Sequence, residues 1–184
     1  MNLPNKLSLL RMAMVPFFVA FALVDAAWAQ WVALALFCIA SLTDMLDGQI
    51  ARRRNLVTSF GKFIDPIADK LLVMSALVVL VGQGRMPSWV CIVILAREFI
   101  VSGLRLVAVE GGKVIAAGWL GKIKTVSQMA AVILLLILTP VSGEPPFGQG
   151  GVIAADVVMY FSAAMTLLSG ADYLIKNKEF IRER

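Results

Sequence analysis

Four aspartates lie close together in the chain, at the ends of runs of apolar residues. Two are three positions apart and the other two are four positions apart, so on helices each pair would share one face. A carboxylate near hydrocarbon costs on the order of a few kcal/mol, so an acid in such a place indicates a function. Two acidic faces that meet need a cation between them, and a hard divalent cation is the simplest candidate. The four residues are Asp44, Asp47, Asp65 and Asp69.

A divalent-cation site of this kind could transfer a phosphate-bearing group from one oxygen atom to another. Two such ions, held by shared carboxylates, can clamp both the attacking and the leaving oxygen. Because the chain contains no histidine, a carboxylate is the natural base for an incoming hydroxyl group. Gly48 leaves space for a ligand beside Asp47, and Arg52 is placed to pair with a phosphate.

The aspartates belong to a longer motif with regular spacing. The motif reads Asp44-Met-Leu-Asp47-Gly48-Gln-Ile-Ala51-Arg52, then eight residues, then Gly61-Lys-Phe-Ile-Asp65-Pro-Ile-Ala-Asp69. It resembles, position by position, the signature of the CDP-alcohol phosphotransferase family, membrane enzymes that make phospholipids from CDP-activated lipids.

The family resemblance implies a role for each residue of the motif. It implies two divalent cations, Mg2+ or Mn2+, with Asp44, Asp47 and Asp65 as ligands. Asp69 would also lie at the metal site and would act as general base on the incoming hydroxyl group. The residues expected to bind the CDP-lipid are Asn5, Gly48, Ala51, Arg52 and Gly61.

The composition places the chain in a membrane. Hydrophobic residues make up 60% of its 184 residues and the mean hydropathy is +0.86, so we expect one all-α integral membrane domain over residues 1–184. A membrane-spanning helix needs about 20 mostly apolar residues. Six stretches of roughly this length predict six transmembrane helices, at about 7–24, 28–50, 62–82, 88–110, 119–139 and 151–174.

The basic residues predict how the chain is oriented. With both termini in the cytoplasm, nearly all lysines and arginines fall on the cytoplasmic side, and only Arg85 lies near the opposite face. The net charge of +5 then indicates attraction to anionic membrane lipids and no nucleic-acid partner. The aspartate motif lies on the same cytoplasmic side. The resemblance further implies the inner membrane of a bacterium, with the active site facing the cytoplasm, and a homodimer.

Three further segments bear on the second substrate. The opening Asn2-Leu-Pro4-Asn5-Lys-Leu-Ser8-Leu-Leu-Arg11 and the segments 96–105 and 121–128 resemble the phosphatidylglycerophosphate synthases of bacteria. The resemblance implies transfer of the phosphatidyl group of CDP-diacylglycerol to glycerol 3-phosphate, with release of CMP. A phosphate-bearing acceptor needs cations, because arginine and lysine bind phosphate by charge and hydrogen bonds. The expected acceptor-binding residues are Arg97, Arg105, Lys122 and Lys124.

Several alternatives stay open at this level. The aspartates could form a structural ionic network with Arg52, Lys62 and Lys70, or the ion site of a cation-coupled transporter. Another phosphorylated alcohol, such as inositol phosphate, could be the acceptor. The basic residues could reflect only the bias of cytoplasmic loops. Arg11 could extend to the lipid headgroups, and Glu98 is expected to pair with a neighbouring arginine because an unpaired buried charge is costly.

Overall fold

In the computed structural model the backbone is described for residues 3–54, 59–110 and 118–178. Within these ranges the side chains are described for residues 7–43, 67–68, 70–109 and 118–178. All the regular secondary structure of this part of the chain is helical. The helices are α1 (Leu3–Ala22), α2 (Ala27–Arg54), α3 (Ser59–Gly82), α4 (Ser88–Glu110), α5 (Trp119–Leu138) and α6 (Gly148–Lys176).

The prediction of an all-helical fold with six helices is confirmed, with some changes at the boundaries. The two largest changes are that α1 begins already at Leu3 and that α2 continues to Arg54. The three arginines 52–54 therefore lie in the last turn of α2, although the sequence was interpreted as a break there. Arginine is a good helix former, and its positive charge is favourable at the negative end of the helix dipole.

Among the residues that the structure describes, two helices meet the length and hydropathy needed to cross a membrane, namely α5 and α6. The described apolar segments of the first three helices are shorter and cover Leu7–Ala22, Ala27–Thr43 and Lys70–Gly82. Helix α4 is long enough, but it carries the charged residues Arg97, Glu98 and Arg105.

Successive helices run in opposite directions and define two ends of the molecule. The start of α1, the end of α2 and the start of α3 lie at one end, which we call the motif end because it carries the aspartates. The turns after α1, α3 and α5 lie at the opposite end. Helix α1 packs against α2 and α3, whereas α6 packs against α4 and α5. These two groups meet where α2 and α3 contact α5 and where α3 contacts α4.

Large apolar side chains fill the space between the helices. Phe18 and Phe37 are fully buried, and their ring centroids lie 5.8 Å apart. Many other large apolar side chains point outward instead, including Ile92 and Leu167, whose exposed fractions are 63% and 57%. A protein surrounded by water rarely exposes so much apolar surface, so the outward faces of these helices suit a lipid environment.

Polar side chains hold the end of the bundle that lies opposite the motif end. The Arg85 guanidinium donates hydrogen bonds to Gln83 Oε1 and Thr139 Oγ1, both at 2.9 Å, and to the Leu135 carbonyl. Gln83 in turn donates to the Ala22 carbonyl at 2.6 Å. Burial lowers the pKa of Arg85 to about 10, so the group stays charged at neutral pH. This network ties the ends of α1, α3 and α5 together.

Candidate active site

The four aspartates lie on two helices at the motif end. Asp44 and Asp47 belong to α2, and Asp65 and Asp69 belong to α3, so the predicted helical spacing of each pair is present in the backbone. Their side chains lie outside the described residues. The ligand set and the role of Asp69 as general base therefore remain predictions.

The residues predicted to bind the CDP-lipid lie on the same three helices. Asn5 is in the first turns of α1, Gly48, Ala51 and Arg52 are in the last turns of α2, and Gly61 is near the start of α3. Their side chains also fall outside the described part of the molecule. The backbone places all five at the motif end, the same end as the aspartates.

A cavity of about 310 Å³ lies between the first five helices. Its polar wall contains four cationic side chains and one carboxylate, so the described part of the wall carries a net positive charge. The charged residues of the wall are Arg11, Lys70, Glu98, Arg105 and Lys124. Lys70 is the neighbour of Asp69 in the sequence, which places the cavity close to the second aspartate pair. A small anion is the type of ligand that such a wall would attract.

Glu98 links two of the cations near the cavity. Its Oε1 atom accepts a hydrogen bond from Arg97 at 3.0 Å and a second one from the Lys124 ammonium group. Lys124 is almost completely buried, with 4% of its surface exposed. The prediction that Glu98 pairs with a neighbouring arginine is therefore confirmed, and Lys124 is an additional partner. Both contacts lower the cost of burying these charges.

A second contact joins α3 to α4 at the cavity. The Lys70 ammonium group donates a hydrogen bond to Ser102 Oγ, and Ser102 donates to the Glu98 carbonyl at 2.6 Å. The sequence interpretation included Lys70 only as a structural partner of the aspartates, and its position on the cavity wall was missed. Its place directly after the last aspartate of the motif was the available signal.

The structure brings together only some of the residues predicted to bind the acceptor. Arg105 and Lys124 line the cavity. Arg97 lies instead in an apolar groove between α4 and α6. Lys122 is exposed to the surroundings, and its ammonium group lies 4.8 Å from the centre of the Trp119 ring. Whether these residues act on the acceptor stays a prediction, but the cavity groups Arg105 with Lys124.

Arg11 is a further residue of the cavity, for which the sequence analysis had left a position at the lipid headgroups open. Only 1% of its surface is exposed, and it lies on the cavity wall. It therefore does not extend to the lipid headgroups, as one reading of the N-terminus had suggested. Helix α1 is covered by α2 and α3 on its inner face, so an arginine on that face is enclosed by its neighbours.

Comparison with known proteins shows the family to which the sequence is similar. The family model described as CDP-alcohol phosphatidyltransferase matches residues 1–168. A Bacillus subtilis protein named CDP-diacylglycerol–glycerol-3-phosphate 3-phosphatidyltransferase is 44% identical, and the alignment covers 98% of this chain and 97% of the relative. A Rickettsia felis protein of the same name is 36% identical, with 97% of each chain covered.

A third relative comes from Mycobacterium tuberculosis strain H37Rv and is named probable phosphatidylglycerophosphate synthase. It is 42% identical, with 95% of this chain and 81% of the relative covered. These matches confirm the resemblance that the aspartate motif indicated. Because the family model covers most of the sequence and the relatives align along nearly all of it, the chain belongs to the CDP-alcohol phosphatidyltransferase family.

Proposed function

We propose that the chain transfers the phosphatidyl group of CDP-diacylglycerol to sn-glycerol 3-phosphate, giving phosphatidylglycerophosphate and CMP. The support is the set of relatives that carry this activity in their names and are 36–44% identical to the chain along almost its whole length. The observation in the structure that carries the proposal is the cationic cavity at the motif end. It offers a place for the phosphate of the acceptor beside the aspartates.

The carboxylates of the motif fit a site for divalent cations. Members of the family use such ions, and we propose two of them here, Mg2+ or Mn2+. Asp44, Asp47, Asp65 and Asp69 would hold them, since carboxylate oxygens are the ligands that these hard cations prefer and the backbone brings both pairs to one end of the bundle. When bound, the ions would neutralise the charge of the pyrophosphate.

The chain's own contribution to the reaction is proton removal and positioning. Asp69 would accept the proton of the glycerol 3-phosphate 1-hydroxyl group. The hydroxyl oxygen forms a bond to the phosphorus that carries the diacylglycerol. The bond from that phosphorus to the CMP oxygen breaks, and its electron pair leaves with CMP. A single displacement accounts for both products, with no covalent intermediate on the protein.

The two substrates would occupy different parts of the motif end. Asn5, Gly48, Ala51, Arg52 and Gly61 would bind the nucleotide and pyrophosphate of CDP-diacylglycerol. The phosphate of the acceptor would bind in the cavity, where Arg105 offers a planar fork and Lys124 a point charge. Arg97 and Lys122, which also belong to the predicted acceptor set, lie outside the cavity wall and would act there indirectly or only weakly.

The arrangement in the membrane follows from the distribution of charge. We propose that all six helices span the bacterial inner membrane as one domain over residues 1–184, with both termini and the active site on the cytoplasmic side. Lipids of the membrane would surround the outward apolar faces. A homodimer is proposed from the family resemblance.

The acceptor can be tested with purified protein. The protein is mixed with CDP-diacylglycerol and Mg2+ or Mn2+, and CMP release is measured with glycerol 3-phosphate, inositol phosphate, free inositol or serine. We expect the fastest release with glycerol 3-phosphate, and little with free inositol or serine because they lack the phosphate that the cations would bind. Faster release with inositol phosphate would reassign the acceptor. Ion flux in liposomes without any CMP release would support a transporter instead.

A further inference from the structure

Helix α6 contributes no residue to the described wall of the cavity. It nevertheless contacts Arg105 directly, and it contacts Arg97, which is linked to Lys124 through Glu98. The contacts come from Gly170 and Tyr173, which are three positions apart and so lie on one face of α6. Both residues are buried. Both residues therefore lie outside the cavity but close to side chains that line it or contact its wall.

Gly170 makes space for Arg97. A Cβ atom built on Gly170 would lie 3.0 Å from the Cγ atom of Arg97, which is closer than carbon atoms normally approach. The Arg97 side chain thus crosses α6 at a position where the helix has no side chain. Its guanidinium then approaches the first turns of α5, where its NH2 atom is 3.9 Å from a Cβ built on Gly121. Arg97 joins α4, α5 and α6 in this way.

The far end of Arg97 acts on the cavity through a carboxylate. Its NH1 atom donates to Glu98 Oε1 at 3.0 Å, and the same oxygen accepts a hydrogen bond from Lys124. One carboxylate oxygen of Glu98 therefore accepts hydrogen bonds from both Arg97 and Lys124. A shift of Arg97 changes the position of Glu98, and Lys124 must follow because this contact fixes its ammonium group at the cavity wall.

Tyr173 contacts the other cation. The guanidinium carbon of Arg105 lies 5.7 Å from the centre of the Tyr173 ring, within the range of a cation–π interaction. Arg105 is exposed overall, and the Tyr173 ring is a described contact that restricts its guanidinium group. The Tyr173 hydroxyl group finds no hydrogen-bond partner among the described residues. The ring of Tyr173, not its hydroxyl group, is therefore the part that acts on Arg105.

We infer that α6 positions both cations of the acceptor cavity from outside it, with Gly170 and Tyr173 as positioning residues. Gly170 sets the position of Lys124 through Arg97 and Glu98, and Tyr173 sets that of Arg105. The inference rests on the proposed function, because it assumes that the cavity binds the phosphate of glycerol 3-phosphate. It predicts effects on the KM for this substrate that are larger than those on the KM for CDP-diacylglycerol.

The Gly170 arm can be tested with a double-mutant cycle. Gly170→Ala should raise the KM for glycerol 3-phosphate by about threefold to tenfold. This is less than the effect of losing a whole charge-assisted hydrogen bond, because Lys124 is displaced but not removed. In an Arg97→Ala background the added methyl group has space, so Gly170→Ala should then change the KM little. Non-additivity of this kind is what contact between two residues produces. Gly150→Ala, at a position of the same helix with open space around it, is the matched control.

The role of Tyr173 can be tested by comparing a replacement that keeps the aromatic ring with one that removes it. Tyr173→Phe keeps the ring and should leave the KM for glycerol 3-phosphate unchanged. Tyr173→Leu removes the ring and should raise it by roughly threefold to tenfold, the range expected for a partly enclosed cation–π contact. Tyr160→Leu is the control, because Tyr160 is an exposed α6 residue that stacks on Trp89, away from the cavity.

The outcomes separate this inference from the proposed function. If the unmodified protein shows no turnover with glycerol 3-phosphate, the proposed function fails. If it is active but Gly170→Ala has the same effect with and without Arg97, or Tyr173→Leu behaves like Tyr173→Phe, the positioning role fails. Equal rises in both KM values together with a lower unfolding temperature would also overturn it. The Tyr173 variants decide the matter if Arg97→Ala does not accumulate in membranes.

Discussion

Replacing Lys124 by methionine removes one positive charge from the cavity wall while keeping a long unbranched side chain. Lys124 is the most deeply buried cation of the predicted acceptor set, with 4% of its surface exposed. Its ammonium group is held by Glu98, so it cannot move away to solvent as a surface lysine does. A phosphate that binds in the cavity would meet a charge that the protein shields almost completely from solvent.

The size of the effect follows from the type of bond that is lost. A charge-assisted hydrogen bond contributes about 1.5–3 kcal/mol, which corresponds to roughly 10-fold to 150-fold in the KM for glycerol 3-phosphate. The KM for CDP-diacylglycerol should change much less. Lys124→Arg should also raise the KM, because a planar fork and a point charge fit a phosphate differently. Glu98 keeps Arg97 as a partner in Lys124→Met, so the fold should survive.

The assay is initial-rate measurement of CMP release in detergent micelles, with each substrate varied at saturating levels of the other. Lys178→Ala is the control, since Lys178 is an exposed residue just beyond α6. Equal rises in the two KM values would refute the reasoning. Lys124 would then hold the pyrophosphate of the donor or the fold, and the cavity would lose its assignment to the acceptor.

Four further predictions concern other parts of the molecule. Asp69→Asn should lower kcat by roughly 10²–10⁴-fold, while metal and CDP-lipid binding persist, because an amide cannot accept the hydroxyl proton; near-normal turnover across pH would exclude this base. Removing divalent ions with a chelator should abolish turnover, and Mg2+ or Mn2+ should restore it. Asp65→Asn should need a higher metal concentration than the unmodified protein for the same rate. Turnover that persists in the chelator would exclude the metal site. Lys122→Met should have a smaller effect on the KM for glycerol 3-phosphate than Lys124→Met, since Lys122 is exposed beside Trp119; an equal effect would place Lys122 at the acceptor. Arg85→Met should lower the unfolding temperature in detergent without changing either KM, because hydrogen bonds at the opposite end of the bundle are lost; an unchanged unfolding temperature would contradict this role.

The number and the approximate positions of the helices could be predicted because long apolar runs and the breaks between them are local features of the sequence. The pairing of Glu98 could also be predicted, since a buried carboxylate requires a cation and Arg97 is adjacent. The end of α2 was placed too early because a run of three arginines looks like a loop by hydropathy. Their helix propensity is high, however, and the helix continues through them.

The composition of the cavity wall could be predicted only in part. Lys122 and Lys124 are two residues apart on α5, so their side chains point in directions that differ by roughly 200° on an α-helix. Helical geometry alone therefore indicates that only one of them can line a given cavity. The burial of Arg11 could not be predicted, because it depends on how α1 packs against α2 and α3. The same holds for the contacts that Gly170 and Tyr173 make from α6.

Transfer of label from glycerol 3-phosphate to lipid tests the central claim most directly. Purified protein is incubated with CDP-diacylglycerol, radiolabelled glycerol 3-phosphate and Mg2+ or Mn2+, and the label in the lipid phase is compared with the CMP released. We predict one labelled lipid, phosphatidylglycerophosphate, formed in equal amount to CMP by the unmodified protein and by Lys178→Ala, and nearly none with Asp69→Asn. CMP release without labelled lipid would contradict the proposed transfer, and labelled lipid formed at the same rate by Asp69→Asn would contradict the proposed general base.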